Sequence, residues 1–355
     1  MYALIMAGGI GSRLWPRSRH DLPKQFLPLL TAETMVQATA ARVEPLIGMR
    51  QILVATGREY VETVVAQLPQ LPLGNIIGEP SGKGTAPCIG LGAIDLHRRD
   101  PDATMAVLSA DHLILKAHAF REALRAAEEV AQRGYLVTLG IKPEAAHTGY
   151  GYIKRGDQLG TFHGYGAFVV DRFVEKPDQA TAEQYLADGG YSWNAGIFVW
   201  RVDQILDAIA VHLPELRTQL DALAAAGAPG LPDAFGEVWS DVASITIDHG
   251  IMEHATRVAV IPVDIGWSDV GDWDTLAHLA ESDAAGNVHQ ADHVSIDTSG
   301  TFVYSDSDRL IATIGAEDLI IVDTRDALMI IPRRRAQDIK RLLSAIREHG
   351  RTDLL

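Results

Sequence analysis

The sequence predicts an α/β fold built on a doubly wound, mostly parallel sheet, with a small β domain after it. Three observations predict this. From Tyr2 to about Gly140, short apolar runs alternate with longer helix-patterned stretches, the signature of βαβ units covered on both faces. After about Ala284, β runs follow one another through turns without helices between them. The 355 residues, 47% apolar and 22% charged, have the length and composition of a two-domain globular chain.

Taken in order, the predicted strands of the first half are residues 2–6, 51–55, 75–77, 104–108 and 135–139. Longer β runs follow at 151–155, 168–174 and 192–200, with helical patterns at 179–187, 202–211 and 214–226. The Ala/Gly/Pro-rich stretch from Ala222 to Pro232 reads as a surface loop within the same domain. The late β runs are 294–297, 301–304, 310–314, 319–322 and 327–331, and a helix over 336–349 follows. The expected division is a large domain over 1–284 and a small β domain with its helix over 285–355.

Charge and cysteine content narrow the function. Lys plus Arg total 31 against 46 Asp plus Glu, a net charge of −15, so a nucleic acid would be repelled and no such partner is expected. A single cysteine, Cys88, excludes an intrachain disulfide and fits a reducing, cytoplasmic setting. No basic leader precedes the first strand, and no apolar run reaches the ~18 residues that span a bilayer, so neither secretion nor a membrane partner is expected.

In a doubly wound sheet, ligands bind beyond the carboxyl ends of the strands. Here those positions carry Ala7-Gly8-Gly9, Glu79-Pro80-Ser81-Gly82 and Ser109-Ala110-Asp111-His112, residues that packing alone does not require, and one shared site is expected. The loop Ala7-Gly8-Gly9-Ile10-Gly11-Ser12-Arg13-Leu14 can bring backbone N–H groups up to a phosphate. Leu14 stands where a dinucleotide fingerprint would have its third glycine, and the Lys-Ser/Thr of a Walker A loop is missing. Arg13 and Lys24, on a segment stiffened by Pro16 and Pro23, add the cations that a polyphosphate needs.

Gly8-Gly9-x-Gly11-Ser12-Arg13-Leu14-Trp15-Pro16-x-Ser18-Arg19 followed by Pro23-Lys24-Gln25-Phe26 resembles the signature of the sugar-1-phosphate nucleotidyltransferases. Within that superfamily it looks most like the mannose-1-phosphate guanylyltransferase (GDP-mannose pyrophosphorylase) family. Further matching segments are Glu79-Pro80, Ser109-Ala110-Asp111-His112, Thr148-Gly149-Tyr150-Gly151-Tyr152-Ile153, Phe173-Val174-Glu175-Lys176-Pro177, Trp193-Asn194-Ala195-Gly196 and Gly266-Trp267-Ser268-Asp269-Val270-Gly271. They run through essentially the whole chain, and the tail resembles the β-helix-like segment that follows the catalytic domain in this family.

The resemblance implies a nucleotide-diphospho-sugar transferase fold and the reaction of GTP with α-D-mannose 1-phosphate to give GDP-mannose and pyrophosphate, with Mg²⁺ and no covalent enzyme intermediate. It implies catalytic roles for Arg13, Lys24, Asp111 and Asp269, with Asp111 and Asp269 as metal ligands. Ala7, Gly8, Gly9, Gly11, Ser12, Arg13, Glu79, Gly84, Thr85, Ser109 and Asp111 would bind the nucleotide; Gly149, Glu175, Lys176 and Asn194 would bind the sugar phosphate. From position alone, Asp111 also reads as a helix N-cap, and Asp272 reads as the cap of the helix after it. Many relatives carry Arg-Asn where this chain has Lys83-Gly84, which loosens the inference to guanine.

The histidines offer no metal cluster, and Trp15, Trp193, Trp267 and Trp273 read as packing residues. The alternatives are transfer to a different sugar 1-phosphate or from a different nucleotide, and a non-catalytic nucleotide-sugar sensor. A dinucleotide-dependent oxidoreductase is disfavoured by the incomplete fingerprint. A homodimer through strand edges of the small β domain is a further expectation.

Overall fold

Aliphatic runs without a polar face are satisfied only inside a sheet covered on both sides, and each such run of the first half becomes a strand. The computed structural model describes residues 1–29, 31–226 and 232–355. Its strands begin with β1 (Tyr2–Ala7), β2 (Ile52–Gly57), β3 (Ile76–Glu79) and β4 (Thr104–Ser109). The two-residue β5 (Leu113–Ile114), then β6 (Leu136–Ile141), β7 (Tyr152–Phe162), β8 (Tyr165–Val174), β9 (Tyr191–Arg201), β10 (Val258–Val263) and the two-residue β11 (Trp267–Ser268) follow. Two compact units, each discontinuous in sequence, contain them. The first is Met1–Gly8, Gln37–Ala110 and Ile114–Trp267; the second is Gly9–Val36, Asp111–Leu113 and Ser268–Leu355.

The first unit holds a nine-stranded sheet in the order β3-β2-β1-β4-β9-β6-β10-β8-β7. Strands β1 to β4 run parallel, so Ala7, Glu79 and Ser109 end side by side along one edge. Strand β9 runs antiparallel between β4 and β6, and its early residues, Asn194 among them, come to the same edge. Leu4, Val107 and Trp200 of the sheet pack with Ile205 and Leu220 of the covering helices in one buried core.

The second unit holds β12 (Val288–Gln290), β13 (His293–Ile296), β14 (Phe302–Ser305), β15 (Ile311–Ile314), β16 (Leu319–Asp323) and β17 (Leu328–Pro332). β12, β14 and β16 stack in parallel, as do β13 and β15, giving successive coils of two short strands closed by the antiparallel β17. Their apolar side packs Phe302, Tyr304, Ile320 and Val322 onto Trp273, Leu14, Trp15 and Leu27.

Three expectations change. Residues 222–226 are the last turns of the helix Pro214–Ala226 rather than loop, and 227–231 lie outside the described residues. The final helix starts at Ile339, because Arg333, held by Asp274 and the Gly300 carbonyl, fixes Arg333–Asp338 as a tighter 3-10 turn. Strands β10, whose run contains Pro262, and β12, three residues with only Val288 apolar, escaped prediction.

Candidate active site

Glycine places the phosphate loop. Gly9 and Gly11 have φ of 86° and 69°, and a Cβ on Gly11 would lie 2.3 Å from Lys24 Cβ, so a side chain there would displace the lysine stem. The loop carbonyls from Gly9 to Gly11 are engaged: Gly9 O accepts from Gln25 Nε2 (3.1 Å), Ile10 O from the Lys24 N–H (3.1 Å), and Gly11 O from Ser18 Oγ (2.7 Å) and the Leu14 N–H (2.9 Å). Among the described residues, no backbone N–H from Gly9 to Arg13 has a backbone acceptor. A loop with its oxygens tied back and its N–H groups unspent suits an anion.

Lys24 brings the acidic residues to this loop. It is 4% exposed, and its Nζ donates to Asp111 Oδ2 (2.9 Å) and to the Asp269 main-chain oxygen (2.6 Å). Arg13 Nη1 donates to Gln337 Oε1 (3.2 Å), and a Cβ on Gly271 would lie 3.3 Å from that nitrogen and 3.2 Å from Asp269 Oδ2. Arg13, Lys24, Asp111 and Asp269 therefore gather at one place. Val270, between Asp269 and Gly271, is buried at φ 45°, a left-handed conformation that a β-branched residue adopts only when its surroundings force it.

Asp111 caps no helix; Lys24 takes its carboxylate, and the helix Ala117–Ala131 begins beyond Lys116. Asp272 does cap: its Oδ1 accepts from the Thr275 N–H at 2.9 Å. Its other oxygen accepts from Gln337 Nε2, so one glutamine side chain holds both Arg13 and Asp272.

Within the first unit, Ala7 ends β1, with its carbonyl accepting from Thr56 Oγ1 (2.9 Å), and Gly8 follows. Glu79 ends β3 and is 7% exposed, with Oε1 buried and unpartnered. Burial pushes its carboxyl up to about 7, opposed by a hydrogen bond from Cys88, whose own thiol burial pushes up. Gly84 precedes the helix Thr85–Arg99 at φ 84°, and a Cβ there would lie 2.5 Å from Ile245 O. Gly84 is thus required by the close approach of residues 245–247, an explanation for Lys83-Gly84 that the sequence alone does not suggest. Ser109 ends β4 on the same edge.

Glu175 and Asn194 meet: a Cβ on Gly151 would lie 2.3 Å from Glu175 Oε2 and 3.2 Å from Asn194 Cβ. Glu175 Oε2 is buried without a partner, and Oε1 accepts from Lys176 Nζ at 2.5 Å. Lys176 itself sits at φ 49°. Gly149 donates its N–H to His147 Nδ1 (3.1 Å), and the His147 ring stacks on Tyr150, which meets Trp193 edge-on. Sequence reasoning missed Asp248, whose Oδ1 accepts from Asn194 Nδ2 (2.7 Å), and Glu253, which accepts from the Glu175 N–H (3.0 Å). Burial, with the Glu175 charge adding to it, pushes the Asp248 carboxyl up to about 6. The one local signal was an acidic residue within an otherwise apolar stretch around Ile247 and Ile251.

A model of the nucleotidyl transferase family matches residues 2–286, which is most of the chain. The chain belongs to this family. A second model, of the MannoseP isomerase/GMP-like β-helix domain, matches residues 291–346 of this nucleotidyl transferase. The xanthan biosynthesis protein XanB of Xanthomonas campestris is 40% identical over 357 residues, covering 99% of this chain and 74% of that protein. Mannose-1-phosphate guanylyltransferase ManC of Salmonella typhimurium shows the same identity and coverage. A crystal structure described as mannose-1-phosphate geranyltransferase from Thermus thermophilus aligns with a TM-score of 0.87 at 34% identity, over 98% of this chain and 99% of that one. Among the described residues, no helix is long and apolar enough to cross a membrane.

Proposed function

We propose that this nucleotidyl transferase moves GMP from GTP to α-D-mannose 1-phosphate, forming GDP-mannose and releasing pyrophosphate. The relatives named for that activity, at about 40% identity over 99% of this chain, support the substrates. The observation that carries the mechanism is the Lys24 ammonium held between the Asp111 carboxylate and the Asp269 main chain, beside a loop with unspent N–H groups. As the sugar phosphate oxygen bonds to the α-phosphorus, the bond to the bridging oxygen of the β-phosphate breaks and charge builds on the departing pyrophosphate. Lys24, Arg13 and the N–H groups of Gly9, Gly11 and Ser12 meet that charge as it develops.

A divalent metal fits this donor set. Asp111 and Asp269 are hard oxygen ligands of the kind magnesium takes, and the Lys24 ammonium already lies between these residues. Mg²⁺ bound by the two carboxylates would offset phosphate charge and help to align the reacting groups. Lys24 keeps Asp111 turned toward the phosphates, and the buried Val270 fixes the direction of Asp269.

On the same reading, Ala7, Gly8, Glu79, Gly84, Thr85 and Ser109 bind the nucleoside, and Gly149, Glu175, Lys176 and Asn194 bind the hexose phosphate. We assign residues 1–284 to catalysis and 285–355 to a supporting β-helix-like domain, in line with the family matches over 2–286 and 291–346. Val294, Ile296 and Ile314 are exposed on the coils of that domain and favour a homodimer, which light scattering tests. The lone buried Cys88 suits a reducing, cytoplasmic setting.

The deciding experiment measures pyrophosphate release with Mg²⁺ from four nucleoside triphosphates against mannose 1-phosphate, glucose 1-phosphate and related sugars. Release with GTP and mannose 1-phosphate, abolished in Asp111→Asn, is the expected result. A different best pair would correct the substrates, and silence with nucleotide binding intact would favour a sensor.

A further inference from the structure

Asp248 begins the π-helical turn Asp248–Met252, an uncommon geometry that tends to occur where a side chain is aimed for function. Its partner cannot turn away. Asn194 Oδ1 accepts from the Gly196 N–H (3.0 Å) and from Thr138 Oγ1 (3.3 Å), which orients Nδ2 toward Asp248 Oδ1. Among the described residues, Asn194 is the only side chain that donates to the Asp248 carboxylate and its own main-chain N–H is a further donor, which leaves acceptor capacity for a ligand. Glu175, whose charge acts on Asp248, keeps its buried Oε2 unpartnered. Two carboxylate acceptors thus face a site where the Asn194 amide is already bonded to one of them, and Lys176 Nζ to the other. The hydroxyl groups of a polyhydroxylated ligand, as O–H donors, satisfy both.

Asp248 is also tied to the loop at Gly84. The Ile245 N–H donates to Lys83 O (3.0 Å), the Ala86 N–H to Ile245 O (3.1 Å), and the Ile247 N–H to Thr85 Oγ1 (2.8 Å). These bonds end one residue before Asp248, so the carboxylate is fixed relative to the loop assigned to the nucleobase.

We propose that Asp248 is a hexose-binding, specificity-determining residue that accepts a sugar hydroxyl alongside Glu175. This inference rests on the guanylyltransferase reading above. Wild-type activity with GTP and mannose 1-phosphate tests that reading, and the variants below test this one.

Asp248→Asn keeps the shape and an acceptor for Asn194 but removes the charged second oxygen. The expected result is at least a tenfold rise in KM for mannose 1-phosphate, with KM for GTP within twofold of wild type. Among the 2-, 3-, 4- and 6-deoxy analogues of mannose 1-phosphate, one that the wild type uses poorly should become equivalent to mannose 1-phosphate in the variant. An unchanged sugar KM would overturn the proposal and leave Asp248 as a positioning residue for Asn194. So would a parallel rise in both KM values. Ile251→Val, in the same turn and away from the carboxylate, controls for packing: an equal rise in sugar KM there would also overturn it.

Discussion

Lys24 Nζ lies 2.9 Å from Asp111 Oδ2, joining the segment after the glycine-rich loop to the turn after β4. The lysine is buried, and a buried ammonium persists only when its charge is answered. Here a carboxylate and a main-chain oxygen answer it. On the proposed function, the pair holds two opposite charges where polyphosphate and metal would meet.

Lys24→Ala should lower kcat by about 10²- to 10³-fold, the usual loss when one preorganised charge-stabilising group is removed. A circular dichroism melt establishes that the fold persists. Turnover near wild type in a folded variant removes Lys24 from the mechanism.

Asp111→Asn and Asp269→Asn should each weaken divalent metal binding as well as catalysis. Mn²⁺ titration followed by electron paramagnetic resonance reads binding without turnover. Wild-type Mn²⁺ affinity in both variants would falsify the metal assignment.

Gly84→Ala should raise KM for GTP and lower Tm, because its Cβ would meet Ile245 O at 2.5 Å and its φ of 84° is unfavourable for alanine. Strain of this kind costs about 1–3 kcal/mol. An unchanged melt and an unchanged KM would mean that residues 245–247 yield without consequence.

The Glu79 carboxyl, raised to about 7, links stability to pH. The folded state holds this proton more tightly than the unfolded chain, so the contribution is full below about pH 4.5 and is lost as pH rises through about 7. Glu79→Gln should therefore gain stability relative to wild type between pH 5 and 8, by roughly 2–3 kcal/mol. Denaturant titrations at those two pH values measure the difference; equal stability increments at both would place Glu79 in contact with water.

Strands β1 to β4 and β6 were legible because they are unbroken aliphatic runs, and the glycine-rich loop because glycines and cations in that order have few other uses; β10, with Pro262 in its run, was not. Asp248 was not, since its role depends on Asn194, 54 residues earlier, and on a π-helical turn that leaves no periodic trace. Lys83-Gly84 was read as the loss of a side chain, whereas its meaning lies in a backbone contact to Ile245 that only the folded chain reveals. The late start of the final helix depends likewise on Arg333 finding Asp274, 59 residues away.

The core that seats Leu14 and Trp15 is completed by Phe302, Ile320 and Ile339, and Trp15 Nε1 donates to the Leu354 carbonyl at 2.6 Å. On the ribosome, the glycine-rich loop is made well before its packing partners. Residues 9–29 must therefore wait, solvated and sticky, while some 270 residues are added at about 5–20 residues per second. Throughout that interval Leu14, Trp15 and Leu27, all buried in the finished fold, stay uncovered.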